Sequence, residues 1–512
     1  RGLGDVYKRQ GDKNMKKAFA IVLLVVIVAA SMSIMVACNN NKTLGANFEV
    51  PAGGYDGSEV TIKFYHTMGD TLNAVFKTYI AEFNKLYPNI HVEDSQIGKY
   101  DDVRDQINTE LTAGNQPNIA YCYPDHVALY NVAGAVVQLD NLINSTETVT
   151  RADGTTEQLG LTQAQKDDFI EGFYNEGKSF GDEFMYTMPF SKSTEVLYYN
   201  KTFFDEYNAT NDAKADTDAT KTARLEVPTH WWCDSALGCD ANCNKSMEKV
   251  ARLLKKIDSN CIPFGYDSEA NWFITLCEQI GSPYTSADEN NHFLFNNDTN
   301  KSFINRLRGW YNDGLFTTQT IFKSFTSGLF NTTTEKTRSY MSIGSSAGAT
   351  KQRPAQDTNG NYPFEVGIAS LPQQNPGRTK VISQGPSVCI FNKSNPQEVV
   401  ASWLLVKYLT TTVAFQAEFA DAQGYIPVLK SVSENPVFKS NMQKANGTTH
   451  IAYLSMKVCM EQANSYYTSP AFVGSSKARD EVGNLLVSCL NADTNIDQAF
   501  ADAIAECEYV AS

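Results

Sequence analysis

Gly344-Ser345-Ser346-Ala347-Gly348 is a G-x-S-x-G pentapeptide, the pattern that lifts a serine hydroxyl onto a sharp strand-to-helix turn in α/β-hydrolases. A serine nucleophile needs a histidine base, and the downstream histidine is His450. A secreted serine esterase using Ser346 is therefore one functional alternative. The surrounding stretch, Arg338–Thr350, also reads as a Gly/Ser turn whose backbone N–H groups and hydroxyls point into a cleft and receive an anion or a hydroxyl. It is not a phosphate-binding P-loop, because no Gly-Lys-Ser/Thr follows.

Cys233, Cys239 and Cys243, with Cys261 beyond them, form a second group. C-x5-C-x3-C is not a zinc-ribbon spacing, so one disulfide or free thiols are expected, with no metal site and no cofactor. The nearby Asp212, Asp216 and Asp218 lack the Gly at position six and Glu at position twelve of a calcium loop. Residues 205–246 are expected to be a solvated insertion. Trp231, in Pro228-Thr229-His230-Trp231-Trp232, and Trp272, in Y-D-S-E-A-N-W-F, offer faces that stack on the C–H faces of sugars. Arg479, in S-S-K-A-R-D-E, offers a planar fork for a phosphate or a pair of hydroxyls.

Repeated strand and helix units must position these groups. Glu59–Tyr65 alternates like a strand, and Leu72, Val75, Phe76, Tyr79, Ile80 and Phe83 recur at helical spacing. A strand from Ile90, a helix over Val103–Leu111 and a strand over Pro117–Cys122 follow, which indicates parallel α/β units. Ligands in such sheets gather beyond the carboxyl ends of the strands. Met188–Lys201 then runs from Pro189 through Ser191, Ser193 and Thr194 into the apolar Val196–Tyr199, small polar residues feeding a buried strand. Glu398–Leu409 has the pattern of an amphipathic helix.

The M-P-F-S-K-S-T-E-V-L-Y-Y-N-K segment resembles the first lobe-crossing strand of extracellular solute-binding proteins of carbohydrate ABC importers (family 1), most closely the glycerol-3-phosphate-binding branch. Lys380–Phe391 resembles the second crossing strand, Gly424-Tyr425-Ile426-Pro427 matches a G-Y-L/I-P motif widespread in these proteins, and Pro228–Trp231 resembles their Pro-x-x-Trp. The resemblance runs from about residue 59 to the C-terminus, broken at 205–246. It implies an α/β, periplasmic-binding-protein-like (type II) fold of two lobes joined by hinge strands, with lobe one at 59–190 and 341–388 and lobe two at 191–340 and 389–507. It also implies a ligand set of Tyr100, Ser193, Ser345, Gly385, Tyr425 and Arg479. Where the branch carries a glutamate, this chain has Y-P-D-H, and Asp125 stands nearest. The implied function is capture of a sugar, polyol or glycerol-phosphate ligand for a membrane permease, by a non-enzymatic monomer.

Residues 1–14 match no start signal and are set aside. Met15-Lys16-Lys17, the apolar Ala18–Ala30 and S-M-S-I-M-V-A-C ending at Cys38 form a secretory signal. It resembles a bacterial lipobox with Met35 at the usual leucine position, which implies lipidation of Cys38. Residues 38–58 would tether the protein to the extracellular face of the cytoplasmic membrane, the periplasmic side where an outer membrane is present. Cleavage before Cys38 removes six basic and two acidic residues and takes the net charge from −14 to −18. So acidic a surface argues against nucleic acid and against peripheral binding to anionic lipid.

Overall fold

The computed structural model describes residues 45–511 except 235–236, 241–242, 289–290 and 334–336. The expected signal, Cys38 and the first part of the tether lie outside the described residues. The alternating run from Val60 forms β1 (Val60–His66), which pairs in parallel with β2 (Ile90–Gln96) and β3 (Ile119–Cys122). The helix Asp70–Leu86 between β1 and β2 buries Leu72, Phe76, Tyr79 and Phe83, the face its spacing predicts. A hairpin of β4 (Thr148–Thr150) and β5 (Thr156–Gln158) follows. After β6 (Met188–Pro189) the chain leaves the first sheet and enters β7 (Ser193–Asn200), the centre of a second one.

That second sheet takes in β8 (Phe264–Tyr266), β9 (Phe316–Thr318), β10 (Met341–Ser345), β11 (Val366–Ser370) and β12 (Val381–Gln384). The chain then crosses back through Gly385-Pro386 to β13 (Ser387–Ile390), and β14 (Tyr466–Tyr467) later adds to the second sheet beside β12. The strand orders are β2-β1-β3-β13-β6 and β14-β12-β7-β10-β8-β9, with β11 also paired to β7. Each sheet is layered with helices, which is the two-lobed α/β architecture the resemblance implies. Both expected crossings, at Met188–Lys201 and Lys380–Phe391, lie between the sheets.

Two boundaries differ from the expectation. Residues 341–388 were assigned to lobe one, but β10 runs antiparallel to β7 from Met341↔Tyr199 to Ser345↔Glu195, and β12 pairs with β7 as well. Pairing of β10, β11 and β12 with β7 holds this stretch in the second sheet until Gly385. Conversely, the helix Pro396–Thr411, from the stretch assigned to lobe two, packs on β1, β6 and β13. It is buried on nearly every side, from Val399 through Lys407, rather than amphipathic, because the helix Val413–Gln423 and the first sheet cover both of its faces. Lys407 is accommodated there by Glu157 at 3.0 Å, and Trp403 by donating its indole N–H to the Leu159 carbonyl at 2.9 Å.

Candidate ligand-binding site

The floor of the cleft is built where the crossing segments meet. Gly385 has φ +93°, and a Cβ there would stand 2.6 Å from the Ser191 carbonyl oxygen and 2.7 Å from the Ser193 nitrogen. Only glycine tolerates both the left-handed backbone and that approach. The resemblance places Gly385 in the ligand set; here the space a side chain would need is taken by the other crossing strand. Lys192, fully buried, donates its ammonium to Glu176, to Ser387 Oγ at 3.0 Å and to the Gly385 carbonyl at 3.3 Å. Its backbone exchanges hydrogen bonds with Ile426 at 3.0 and 2.6 Å. One residue thus ties the first crossing to the second and to the G-Y-I-P segment.

The first lobe supplies a cluster of tyrosines. Tyr100 opens the helix Tyr100–Ala113, its ring centroid 4.7 Å from that of Tyr123 and 6.4 Å, stacked, from that of Tyr121. Tyr100 and Tyr425 stand close enough for their hydroxyls to perturb each other. Burial pushes all four phenols up, so they stay neutral. Among the described residues the Tyr121 hydroxyl finds no hydrogen-bond partner, the kind of buried polar atom that a ligand hydroxyl satisfies. Asp125 follows Pro124 in the first turn of the helix Pro124–Tyr130 and accepts from the His126 N–H at 3.1 Å.

The second lobe supplies a hydrogen-bonded relay. Glu195 on β7 accepts from the Tyr266 hydroxyl at 2.5 Å and from Asn271 Nδ2 at 2.9 Å. The same Asn271 nitrogen reaches Gln384 Oε1 at 3.0 Å, and Asn271 Oδ1 accepts from Arg479. Burial pushes the Glu195 carboxyl up to about 7, against the opposing pull of the Tyr266 and Asn271 hydrogen bonds and the Arg479 charge. Tyr123, Asp125, Ser383, Gln384 and Arg479 line one pocket of about 40 Å³, walled by Tyr284 and Ile274. A larger hollow of about 820 Å³, lined by Phe438, Met442, Met456 and Met460, lies elsewhere. It lacks a convergent polar set drawn from both sheets, and that convergence, more than volume, marks a site for a polar ligand.

The residues singled out from sequence divide accordingly. Tyr100, Tyr425, Asp125 and Arg479 cluster at or beside this pocket. Ser193 is buried in the β7–β12 pairing opposite Gln384. Ser345 uses its hydroxyl to accept from the Ala347 N–H at 3.2 Å, capping the turn that follows β10. Trp231 and Trp272 are not cleft walls: both are 0 % exposed. Trp231 donates to Gln279 at 3.0 Å, and Trp272 stacks on Tyr266 with centroids 4.7 Å apart, so their apolar area goes to the hydrophobic core beneath the second sheet. Ser346, the esterase alternative, is also fully buried, and its Oγ accepts from the Thr194 N–H at 3.2 Å. The His450 ring is engaged by Thr449 Oγ1 at 2.9 Å, so the pentapeptide forms a packed turn. Tyr123, Glu195, Asn271 and Gln384 are additions the sequence did not flag.

Known proteins resemble this arrangement. Over 164 residues the chain is 25% identical to the sn-glycerol-3-phosphate-binding periplasmic protein UgpB of Salmonella paratyphi A and of Salmonella typhimurium. The match covers 32% of this chain, and the chain spans about a third (34%) of the length of those relatives. Among solved structures, UgpB from Mycobacterium tuberculosis in complex with glycerophosphocholine superposes with a TM-score of 0.66 at 16% identity, covering 88% of this chain and 98% of that one. The GacH receptor of Streptomyces glaucescens, a structure described with acarbose, gives 0.63 at 13% identity over the same shares. At such identities the likeness is one of fold. Residues 78–446, well over half of the sequence, match the family described as bacterial extracellular solute-binding protein, and the chain belongs to that family.

Proposed function

We propose that this protein is the lipid-anchored ligand-capturing component of a carbohydrate ABC importer, taking up a sugar, polyol or glycerol-phosphate-type ligand between its lobes and presenting it to the permease. The observation that carries the reading is one pocket lined by Tyr123 and Asp125 from the first lobe and by Gln384 and Arg479 from the second. A ligand bridging the two sets stabilises the closed arrangement over the open one. A pocket of about 40 Å³ is far below the roughly 300–1,000 Å³ of a small-molecule site, so entry requires the lobes to part about the Lys192 and Gly385 crossings. No chemistry on the ligand is needed.

Among the pocket-lining residues, Arg479 and Asp125 carry the charges. The neighbouring Arg104 is taken up by Asp105 at 2.8 Å, Ser476 at 2.8 Å and Asp480 at 3.1 Å. One guanidinium opposite one carboxylate suits a neutral or mixed carbohydrate better than a phosphate monoester dianion, which would want a second cation. A thermal-shift screen tests the function, using glycerol-3-phosphate, glycerophosphodiesters, monosaccharides and maltodextrins. A ligand at 100 times its dissociation constant should add about 2.7 kcal/mol of stability. Failure of every carbohydrate and glycerol-phosphate compound to stabilise the folded protein would overturn the assignment. Anchoring is tested separately: Cys38→Ala should release the protein or leave it uncleaved, and a membrane-bound product of mature size would refute lipidation.

A further inference from the structure

His230, Cys233, Cys239 and Cys243 present their ligand atoms within 4.8 Å of one another. His230 Nε2 stands 3.3 Å from Cys239 Sγ and 3.4 Å from Cys243 Sγ. We propose that these four residues form a structural zinc site in the second lobe, sharing no residue with the ligand pocket. The chain spacing is H-x2-C-x5-C-x3-C, and counting cysteines alone hides it because the histidine comes first.

The geometry carries the proposal. A tetrahedral zinc with bonds of about 2.3 Å to sulfur and 2.0–2.1 Å to nitrogen separates its ligand atoms by roughly 3.6–3.8 Å. The two edges from His230 Nε2, to Cys239 and Cys243, are within a few tenths of an ångström of that, and all four ligand atoms lie within 4.8 Å of one another. All three sulfurs are free thiols. A disulfide, one of the two alternatives expected from sequence beside free thiols, would use two of them and strand the third thiol beside the imidazole; a metal uses all four groups. Three soft thiolates and one imidazole at tetrahedral spacing select zinc over calcium or magnesium, which take oxygen ligands.

The surroundings hold the ligands in place. Thr229 Oγ1 lies 3.2 Å from His230 Nδ1, so a proton on Nδ1 leaves the Nε2 lone pair for the metal. His230 bridges to Ser246, and its carbonyl accepts from the Met247 N–H at 2.7 Å. Ser246 in turn caps the helix Met247–Ile257 through the Lys249 N–H at 3.2 Å. Binding releases the three thiol protons and leaves a site of net charge −1, with the Lys249 ammonium within electrostatic reach of His230 and Cys243. The ion would tie Cys233, Cys239 and Cys243 to His230 beside the start of that helix and shield three thiols from oxidation.

The test uses the full chain, purified with reductant and dialysed against zinc. The expected result is one zinc per chain by elemental analysis, with the three thiols protected from iodoacetamide. Replacing zinc by cobalt(II) should give thiolate-to-cobalt charge-transfer absorption and the visible bands of a tetrahedral ion. Thr229→Val should fold normally and bind the metal about 10–100-fold more weakly, while Cys243→Ser should lose the thiolate spectrum of the native set. Because Cys243→Ser can fail to fold, the cobalt spectrum of the unmodified chain decides. Less than stoichiometric metal with no cobalt–thiolate absorption in a protein shown to be folded would overturn the site. So would a disulfide between two of these cysteines that persists in zinc-supplemented protein.

Discussion

Glu195 and Arg479 are joined through a single amide: Asn271 Nδ2 donates to Glu195 Oε1 at 2.9 Å, and Asn271 Oδ1 accepts from Arg479. The relay connects a buried carboxylate on the crossing strand to the guanidinium in the pocket. A ligand that recruits Arg479 must therefore compete with, or add to, an existing hydrogen bond. The electrostatic state of Glu195 is felt at the pocket without Glu195 lining it.

Glu195 should impose a pH dependence of definite sign. Its folded-state carboxyl is raised from 4.5 to about 7, so between those values the folded state holds a proton that the unfolded state has lost. Its stability contribution is complete below about pH 4.5 and is lost as pH rises through about 7. Buried His66 and His126, both lowered by desolvation, act oppositely below pH 6.5. The clean measurement is the difference between wild type and Glu195→Gln in chemical denaturation. Wild type should lose on the order of 3 kcal/mol relative to the variant between pH 4.5 and 7.5. A flat difference would show that Glu195 titrates normally.

The Lys192–Glu176 pair makes the second prediction. Both partners are buried, and the pair sits where both crossings meet the G-Y-I-P segment. Lys192→Met leaves Glu176 uncompensated and should cost about 3–5 kcal/mol. Lys192→Met combined with Glu176→Gln removes the stranded charge and should recover much of that loss, a coupling read by a double-mutant cycle. Additive losses in the double variant would contradict the pairing.

Gly385→Ala should destabilise by about 1–3 kcal/mol from the left-handed backbone alone, and by more from the crowding, since the new Cβ meets backbone atoms of Ser191–Ser193 that cannot swing aside. Ligand affinity should fall with stability, because the crossing geometry sets the pocket floor. A variant of native stability with weakened binding would instead place the ligand against Gly385.

The sequence makes the fold legible where local and global signals agree. β1 and its following helix carry period-two and helical patterns that burial confirms, and the first crossing strand carries the apolar run of a strand buried on both faces. The lobe boundary is misplaced because nothing local to Met341–Ser345 reveals that its partner is β7; pairing across that distance leaves no mark in the strand itself. At the site, Arg479 and Tyr425 stand out by residue type and motif. Asn271 does not, because its neighbour Trp272 draws attention with a large ring that belongs to the core. Glu195 hides between the small polar Ser193-Thr194 and the apolar Val196–Tyr199 of a buried strand, and its charge gains meaning only once Tyr266 and Asn271 donate to it from separate elements.

Arg479 decides between a phosphate ester and a neutral carbohydrate. With a phosphate ligand, Arg479→Lys keeps the charge but loses the two-pronged geometry, so affinity should fall appreciably. Arg479→Ala should cost about 3–5 kcal/mol, since a buried anion would lose its partner. Binding should also weaken below about pH 6 as the phosphate regains its second proton. With a neutral sugar, Arg479→Ala should cost only about 1–3 kcal/mol, the worth of hydrogen bonds to a charged donor, with no pH effect from the ligand itself. The carboxylate of Asp125 in the same pocket opposes a dianion, so the second pattern is expected. Calorimetric titration of glycerol-3-phosphate and a sugar panel, at pH 5.5 and 7.5 with wild type and both variants, checks it. Tight, pH-dependent binding of the phosphate with the larger Arg479→Ala loss would reverse the assignment.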